Sequence, residues 1–522
     1  MKHPFVFLFV SLALLPLAEL AYSQTPAAGQ IVEKVVCAAD STQSYALYLP
    51  SSYSQNKRWP VLYAFDPGAR GTAPVERFKD AAEKYGYIVA GSNNSRNGPW
   101  GPTLAAIRAM WEDTHARFSI EDNRVYVTGF SGGSRVACQI GYMLKGGVAG
   151  VIACGAGFPP DITPSNSTPF VLFGVAGVED FNYPELKRLE TSLDAAGIAN
   201  RFATFEGGHS WPPSDVCVKA IEWMDLQAMK SGKRERSDAI VDALLKENGD
   251  NAHADEAAGR LYQAYLAYSA AARDFKGLRD AAEFEKKAAS LRESKAVKQA
   301  IKQELEQESE QRTRVRELFR LRAALRDRRV TLALADREET PREPGGMGSG
   351  GMGSGAGSGA MGSGAMGAAP LPQSLERPTV GDDGDPRQFA MADLKRALAD
   401  LKKRSEAKAV TPQRALARRV LNEFTIGSYE LSSALIRSKR YDLAAANLAI
   451  DAALTPGNVR VQYNLACAYA LAGDKKKAID ALKKAVYAGF DRVGELDGNR
   501  DLDSLREERA FKEIVDQLKN KR

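Results

Sequence analysis

Arg124-Val125-Tyr126-Val127-Thr128-Gly129-Phe130-Ser131-Gly132-Gly133 is the stretch on which the fold turns. Its first five residues are largely β-branched or aromatic and predict a strand, while 134–144 (SRVACQIGYML) predicts a helix. Between them, Gly129 to Gly133 spells G-x-S-x-G. A sharp strand-to-helix turn holds such a serine with its hydroxyl exposed above the sheet. Glycines flank it because larger side chains would collide with neighbouring backbone. The string alone is common; the strand before it and the helix after it give it meaning.

The same rhythm extends outward on both sides. Runs at 31–37 and 45–49, separated by a polar turn, predict an antiparallel hairpin. Runs at 61–65, 87–90, 124–128, 148–153, 170–175 and 201–205 predict strands, with helical segments between most of them. The fold class is therefore α/β: a parallel sheet with helices on both faces and an antiparallel start. Ligands of such sheets sit at the carboxyl ends of the strands, where Ser131 lies.

A serine hydroxyl becomes a nucleophile only when a base takes its proton and a carboxylate orients that base. The chain has four histidines. His3 belongs to an amino-terminal leader, His115 precedes the turn, and His253 lies in a helical region. His209, in Glu206-Gly207-Gly208-His209-Ser210-Trp211 after the last strand, is the expected base. The acid is expected between serine and histidine in chain order, on the loop after 170–175, and Asp180 is the choice. Asp161, one loop earlier, is the alternative, and the neighbouring Glu179 reads as solvated.

An oxyanion needs two N–H donors. Gly132 supplies one. The other is expected from Asp66-Pro67-Gly68-Ala69-Arg70-Gly71, where Pro67 has no N–H, leaving Gly68 or Ala69. Residues 92–100 (SNNSRNGPW) follow a strand that ends at the same edge. There Arg96 or Trp100 would line a pocket, Arg96 suiting a carboxylate; a loop merely braced by its asparagines is the equal alternative. The 155–169 segment is too short for a large lid, so an open site is expected.

On this turn, acid and histidine, residues 31–229 resemble the α/β-hydrolase superfamily, especially its small carboxylesterase, dienelactone hydrolase and polyester depolymerase-like members. The resemblance implies acyl transfer through an acyl-enzyme by Ser131, Asp180 and His209, with a small or polymeric ester as substrate and no cofactor. The loop at 66–71 lacks the His-Gly start common among esterases. A serine peptidase of the same fold is the alternative, although peptidases of this fold usually carry a propeller or cap.

At 522 residues the chain is too long for one core. Lys2, an apolar run at 5–17 and Ala21-Tyr22-Ser23 read as a removable signal peptide, 1–23, which implies a secreted or periplasmic protein with no membrane span after cleavage. The hydrolase-like domain occupies 24–230 and a helical region rich in Ala, Glu, Lys and Arg occupies 231–344, ending in a long charged helix. Residues 345–385 form a flexible Gly/Ser/Met/Ala-rich linker.

The remainder, 386–522, is TPR-like. Leu465, Ala466, Tyr469, Gly473, Asp474, Ala478, Leu482 and Ala485 fall at the tetratricopeptide offsets within 459–491. A looser copy at 425–458 departs at Asp451, where a small apolar residue is expected, and 502–518 resembles a closing helix. This implies a protein or peptide partner and raises a third reading, a TPR interaction protein without catalysis. No catalytic candidate lies beyond His209, so the C-terminal region is expected to be dispensable for chemistry.

The net charge of +6 comes from 71 Lys/Arg against 65 Asp/Glu. Residues 24–230 hold 18 against 20, so the basic excess sits on the mixed-charge C-terminal helices and does not indicate nucleic acid. Five cysteines without a CxxC or Cys/His cluster imply no metal site, though an exported chain could oxidise a pair of them.

Overall fold

The computed structural model describes residues 26–325 and 386–520, with side chains of 386–389 left aside. The leader and the linker expected from the sequence lie outside these residues. Among the described residues one sheet has eight strands: β1 (Ile31–Val36), β2 (Ser44–Tyr48), β3 (Trp59–Phe65), β4 (Ile88–Ser92), β5 (Ile120–Phe130), β6 (Gly150–Cys154), β7 (Val171–Gly177) and β8 (Asn200–Phe205). Their spatial order is β1-β2-β4-β3-β5-β6-β7-β8. β2 runs antiparallel to both β1 and β4, and every other pairing is parallel. The expected α/β-hydrolase sheet is thus present, strand for strand. β5 starts four residues earlier than the sequence suggests: Ile120 pairs with Trp59, and polar Glu121-Asp122-Asn123 falls in a bulge before pairing resumes at Val125 opposite Val61.

Burial on both faces explains why the central strands are almost continuously apolar. Successive residues point to opposite faces. Val61, Tyr63 and Phe65 of β3, with Val125 and Val127 of β5, meet α2 (Trp100–Arg117), α3 (Gly132–Met143) and α4 (Tyr183–Ala195). Leu62, Tyr126, Ile152 and Val175 meet α1 (Thr72–Tyr85) and α5 (Ser214–Lys230) on the other side. Each such side chain contributes about 1.5–3 kcal/mol by leaving water.

Helices α6 (Asp238–Ala257), α7 (Leu261–Phe275) and α8 (Ala282–Glu293) follow. The α7 helix docks through buried Asp274, which accepts from Trp223 Nε1 at 2.9 Å and Arg201 Nη1 at 2.8 Å. Next comes the long charged helix, α9 (Lys295–Ala324), capped by Ser294 and laced with i,i+4 pairs such as Arg314 with Glu310. Beyond the undescribed segment lie α10 (Pro386–Ser405), α11 (Pro412–Arg437), α12 (Tyr441–Leu454), α13 (Val459–Leu471), α14 (Lys475–Tyr487), α15 (Val493–Gly498) and α16 (Arg509–Lys519). Thr411 caps α11 by accepting from the Arg414 N–H, with Pro412 in the first turn.

The departure at Asp451 has a physical cause. Arg322 at the end of α9 is fully buried, and it donates to Asp451 Oδ1 at 2.8 Å and to Asn447 Oδ1 at 2.6 Å. A buried guanidinium needs such partners, so a small apolar residue at 451 would strand it. The α9 helix therefore bridges the sheet domain and the C-terminal helices, packing Val315 and Leu318 against Leu394, Leu401, Leu416 and Val420. All five cysteines are free and buried; burial pushes the Cys37, Cys154 and Cys467 thiols up to about 12. No described helix is long and apolar enough to cross a membrane.

Candidate active site

Ser131 occupies the turn between β5 and α3 with φ 53° and ψ −121°, a conformation L-residues rarely adopt. Close backbone packing holds it there. A Cβ at Gly129 would lie 2.0 Å from the Gly133 carbonyl oxygen, and one at Gly133 would lie 2.0 Å from that of Phe65. No larger residue fits either place, which is the steric content of the G-x-S-x-G string. The Ser131 N–H is anchored on the Cys154 carbonyl at 2.8 Å.

Three side chains from three strand ends converge here. Ser131 Oγ lies 2.8 Å from His209 Nε2, and His209 Nδ1 lies 2.9 Å from Asp180 Oδ1 and 3.0 Å from Oδ2. The His209 ring sits between Phe130 and Phe181, each with its centroid 4.5 Å away, which fixes its plane. Asp180 is fully buried, and its Oδ1 also accepts the Asn182 N–H at 2.9 Å. Asp161 is exposed in the turn after β6. His115 stacks on Trp111 and shares its Nδ1 with the Trp111 carbonyl, and His253 packs on Tyr268.

The loop after β3 is more constrained than its sequence suggests. The Gly68 N–H donates to Asp66 Oδ1 at 2.8 Å, and the Ala69 N–H donates to the Asp66 carbonyl at 3.1 Å. Of the two candidate donors Gly68 is thus committed to a carboxylate, while Ala69, with φ 60°, keeps only a longer turn bond. Arg96 is exposed and its backbone bridges Gly68; Trp100 packs half-buried against the core beneath α2. Sequence reading passed over the neighbour between them. Asn97 donates its N–H to the Pro67 carbonyl at 2.9 Å, and its carboxamide lies against Gly132, where an added Cβ would fall 1.9 Å from Oδ1. Nothing in an asparagine-rich loop marks which asparagine will lie against Gly132.

Asp66 was also missed, although Asp-Pro-Gly after a strand is an Asx-turn signature that could have revealed it. Its buried carboxylate accepts from the Gly68 N–H, from Arg70 Nε and Nη2 at 2.9 Å each, and from Trp211 Nε1 at 2.8 Å. It therefore ties the loop after β3 to the loop carrying His209. Burial alone would raise its pKa, but these hydrogen bonds outweigh it and hold the carboxyl below its ordinary value.

Because the folded-state value is depressed, the stabilisation is present above the unfolded carboxylate range and is lost as pH falls through the lowered native value. Asp66→Asn should therefore lower the urea midpoint at pH 7 by the equivalent of about 1–3 kcal/mol. Arg70 is mostly exposed, so its share is small. The gap to wild type should narrow as pH is taken from 7 towards 3; an unchanging gap would show that the charge contributes nothing.

No family model matches the chain, and no curated protein matches it. Solved structures do. The fluorophosphonate-binding serine hydrolase F of Staphylococcus aureus is 14% identical, with 38% of this chain covering 98% of that one at a TM-score of 0.32. A ferulic acid esterase is 16% identical, with 37% covering 97% at 0.33. Thermogutta terrifontis esterase 2, phosphonylated by sarin, is 12% identical, with 42% covering 100% at 0.31.

Proposed function

We propose that the chain is a serine hydrolase that cleaves carboxylic esters through an acyl-enzyme. The observation that carries this reading is the continuous hydrogen-bonded line from Ser131 Oγ through the His209 ring to Asp180. Nε2 accepts the Ser131 proton as Oγ attacks the ester carbonyl carbon. The imidazolium so formed is stabilised at Nδ1 by Asp180, which stays ionised. The carbonyl oxygen becomes an oxyanion at the N-terminus of α3, where the Gly132 N–H and the helix dipole favour negative charge. Ala69 is the second donor of choice, since Gly68 is held by Asp66. Collapse of the tetrahedral intermediate breaks the ester C–O bond, and Nε2–H gives its proton to the departing alcohol. Water then repeats the sequence against the acyl-serine, releasing the acid and restoring Ser131.

Export with removal of residues 1–23 belongs to the same proposal, as does recruitment of a protein or peptide by the C-terminal helices. The small buried residues Ala444, Ala466, Ala478 and Ala485, which let α12, α13 and α14 pack closely, support a TPR-like reading of those helices.

The test is a fluorophosphonate probe on the purified chain, followed by 4-nitrophenyl esters of increasing acyl length beside peptide 4-nitroanilides. Labelling at Ser131 with ester turnover supports the proposal. Labelling with anilide turnover alone favours the peptidase. A folded protein that neither labels nor hydrolyses is an interaction protein.

A further inference from the structure

The loop bearing Asp180 is held from two sides. From the hydrolase side its N–H groups are satisfied: Val178 donates to the Phe205 carbonyl at 3.0 Å, Glu179 to that of Gly207 at 2.9 Å, and Asp180 to that of Gly177 at 3.0 Å. The outward groups are met by α9 and by α11 of the C-terminal helices. Arg419 Nη1 of α11 donates to the Val178 carbonyl at 3.0 Å, and Gln311 Nε2 of α9 donates to the Phe181 carbonyl at 3.0 Å. Tyr183 donates its hydroxyl to Glu304 of α9, with Arg419 stacked 5.2 Å over its ring.

Glu179, expected to be solvated, is only 3% exposed. Its Oε2 accepts from Arg418 Nη1 at 2.7 Å, and its Oε1 lies 2.8 Å from Arg414 Nε, an ion pair without the angle of a hydrogen bond. Arg414 and Arg418 share one face of α11 by their i, i+4 spacing and meet Glu179 together, while Arg419, a further ~100° round the helix, reaches the Val178 carbonyl.

We infer that Arg414, Arg418 and Arg419, with Gln311, are positioning residues of the triad, so that the C-terminal helices complete the active site rather than merely adjoin it. The inference rests on the hydrolase reading of Ser131, His209 and Asp180. Two consecutive carboxylates, Glu179 and Asp180, are both out of water. A buried carboxylate is tolerated only when paired. Stripped of its arginines, Glu179 must swing to solvent or take a proton.

Adjacent Cα atoms are 3.8 Å apart, so that swing displaces Asp180 from His209. Catalytic geometry tolerates only fractions of an ångström. Phe181, whose ring braces His209, is held through its carbonyl by Gln311, so the same grip reaches the base. The α7 helix has its own anchor at Asp274, which accepts from Arg201 and Trp223 and not from the acid loop. On this inference the C-terminal region contributes to chemistry, against the expectation that it is dispensable.

The experiment uses the full-length chain. In Arg414→Met/Arg418→Met, kcat for an ester should fall ten- to hundredfold while KM stays within threefold of wild type. Adding Glu179→Gln, which removes the stranded charge, should restore most of that loss; a purely structural contact would not be repaired by deleting its other half. The low-field proton resonance of His209 Nδ1 reports the Asp180 hydrogen bond independently of turnover, and it should shift or broaden in the double variant and return in the triple one.

A folded double variant with wild-type kcat and an unmoved resonance overturns the inference, as does a loss that Glu179→Gln leaves unrepaired. Should the double variant not fold, Arg418→Gln, which removes only the guanidinium that is 39% exposed, decides in the same way by its kcat and resonance. If the wild-type chain neither takes the fluorophosphonate label nor turns over ester or anilide, the hydrolase reading falls, and the resonance alone still decides whether α11 positions Asp180.

Discussion

Ser131→Ala is expected to leave the protein folded and to lower ester turnover on the order of 10⁶-fold, a barrier increase of about 8 kcal/mol. The fold should survive for three reasons. The side chain is half-buried, so losing one oxygen opens little cavity. Alanine carries the same Cβ as serine, so the strain at φ 53° is unchanged. The elbow is fixed by backbone contacts at Gly129 and Gly133, which the substitution does not touch. Catalysis should fail because Oγ is the atom that forms the acyl bond, and neither a bare methyl nor a water set against His209 Nε2 follows the covalent route. His209→Ala should be nearly as severe, and the two losses should not add, since either one disables the same device. Fluorophosphonate labelling should vanish in the alanine variant. Turnover above about one per cent of wild type in a folded Ser131→Ala preparation, free of contaminating esterase, would remove Ser131 from the mechanism.

Local patterning made the sheet and its edge readable, while long-range pairing stayed hidden. Strands β2 to β7 were visible because burial on two faces demands apolar, β-branched and aromatic runs, and those runs need no knowledge of their partners; the edge strands β1 and β8 were visible from their β-branched and aromatic residues despite partial exposure. Ser131, Asp180 and His209 were visible because each terminates or follows a strand at the same edge and the chain has few histidines. The start of β5 was not, since polar Glu121-Asp122-Asn123 sits in a bulge between the paired Ile120 and Val125 and interrupts the apolar run. Glu179 was misread for a sharper reason. Its partner Arg418 lies 239 residues away, and an arginine stripe on a mixed-charge helix looks the same whether it faces water or a carboxylate. Asp451 shows the complementary case: a residue that breaks a repeat pattern is itself a signal, because the broken rule implies a buried partner, here Arg322.

Asp180→Asn should lower kcat about 10³–10⁴-fold with little change in KM. The reasoning lies in how the carboxylate's oxygens are shared. Oδ1 accepts both the Asn182 N–H at 2.9 Å and the His209 Nδ1 proton, and Oδ2 accepts from Nδ1 as well. A carboxylate serves all these donors; a carboxamide has one oxygen and one NH₂ group. If the amide oxygen keeps the Asn182 N–H, the NH₂ group faces Nδ1 and can donate only to an unprotonated nitrogen. The imidazole then carries its proton on Nε2, where it cannot accept the Ser131 proton. If the amide turns over, its NH₂ group meets the Asn182 N–H, donor against donor, in a site with no exposure to water. The first arrangement disables the base, the second keeps the tautomer at the cost of an unsatisfied buried donor pair, and the negative charge that stabilises the imidazolium is gone in either. The low-field Nδ1 resonance should disappear, and fluorophosphonate labelling should slow in step with kcat. Asp161→Asn, on an exposed turn, should leave kcat and labelling unchanged. The opposite pattern, a silent Asp180→Asn beside a damaging Asp161→Asn, would move the acid one loop earlier and leave Arg414 and Arg418, which hold Glu179, without a path to the chemistry.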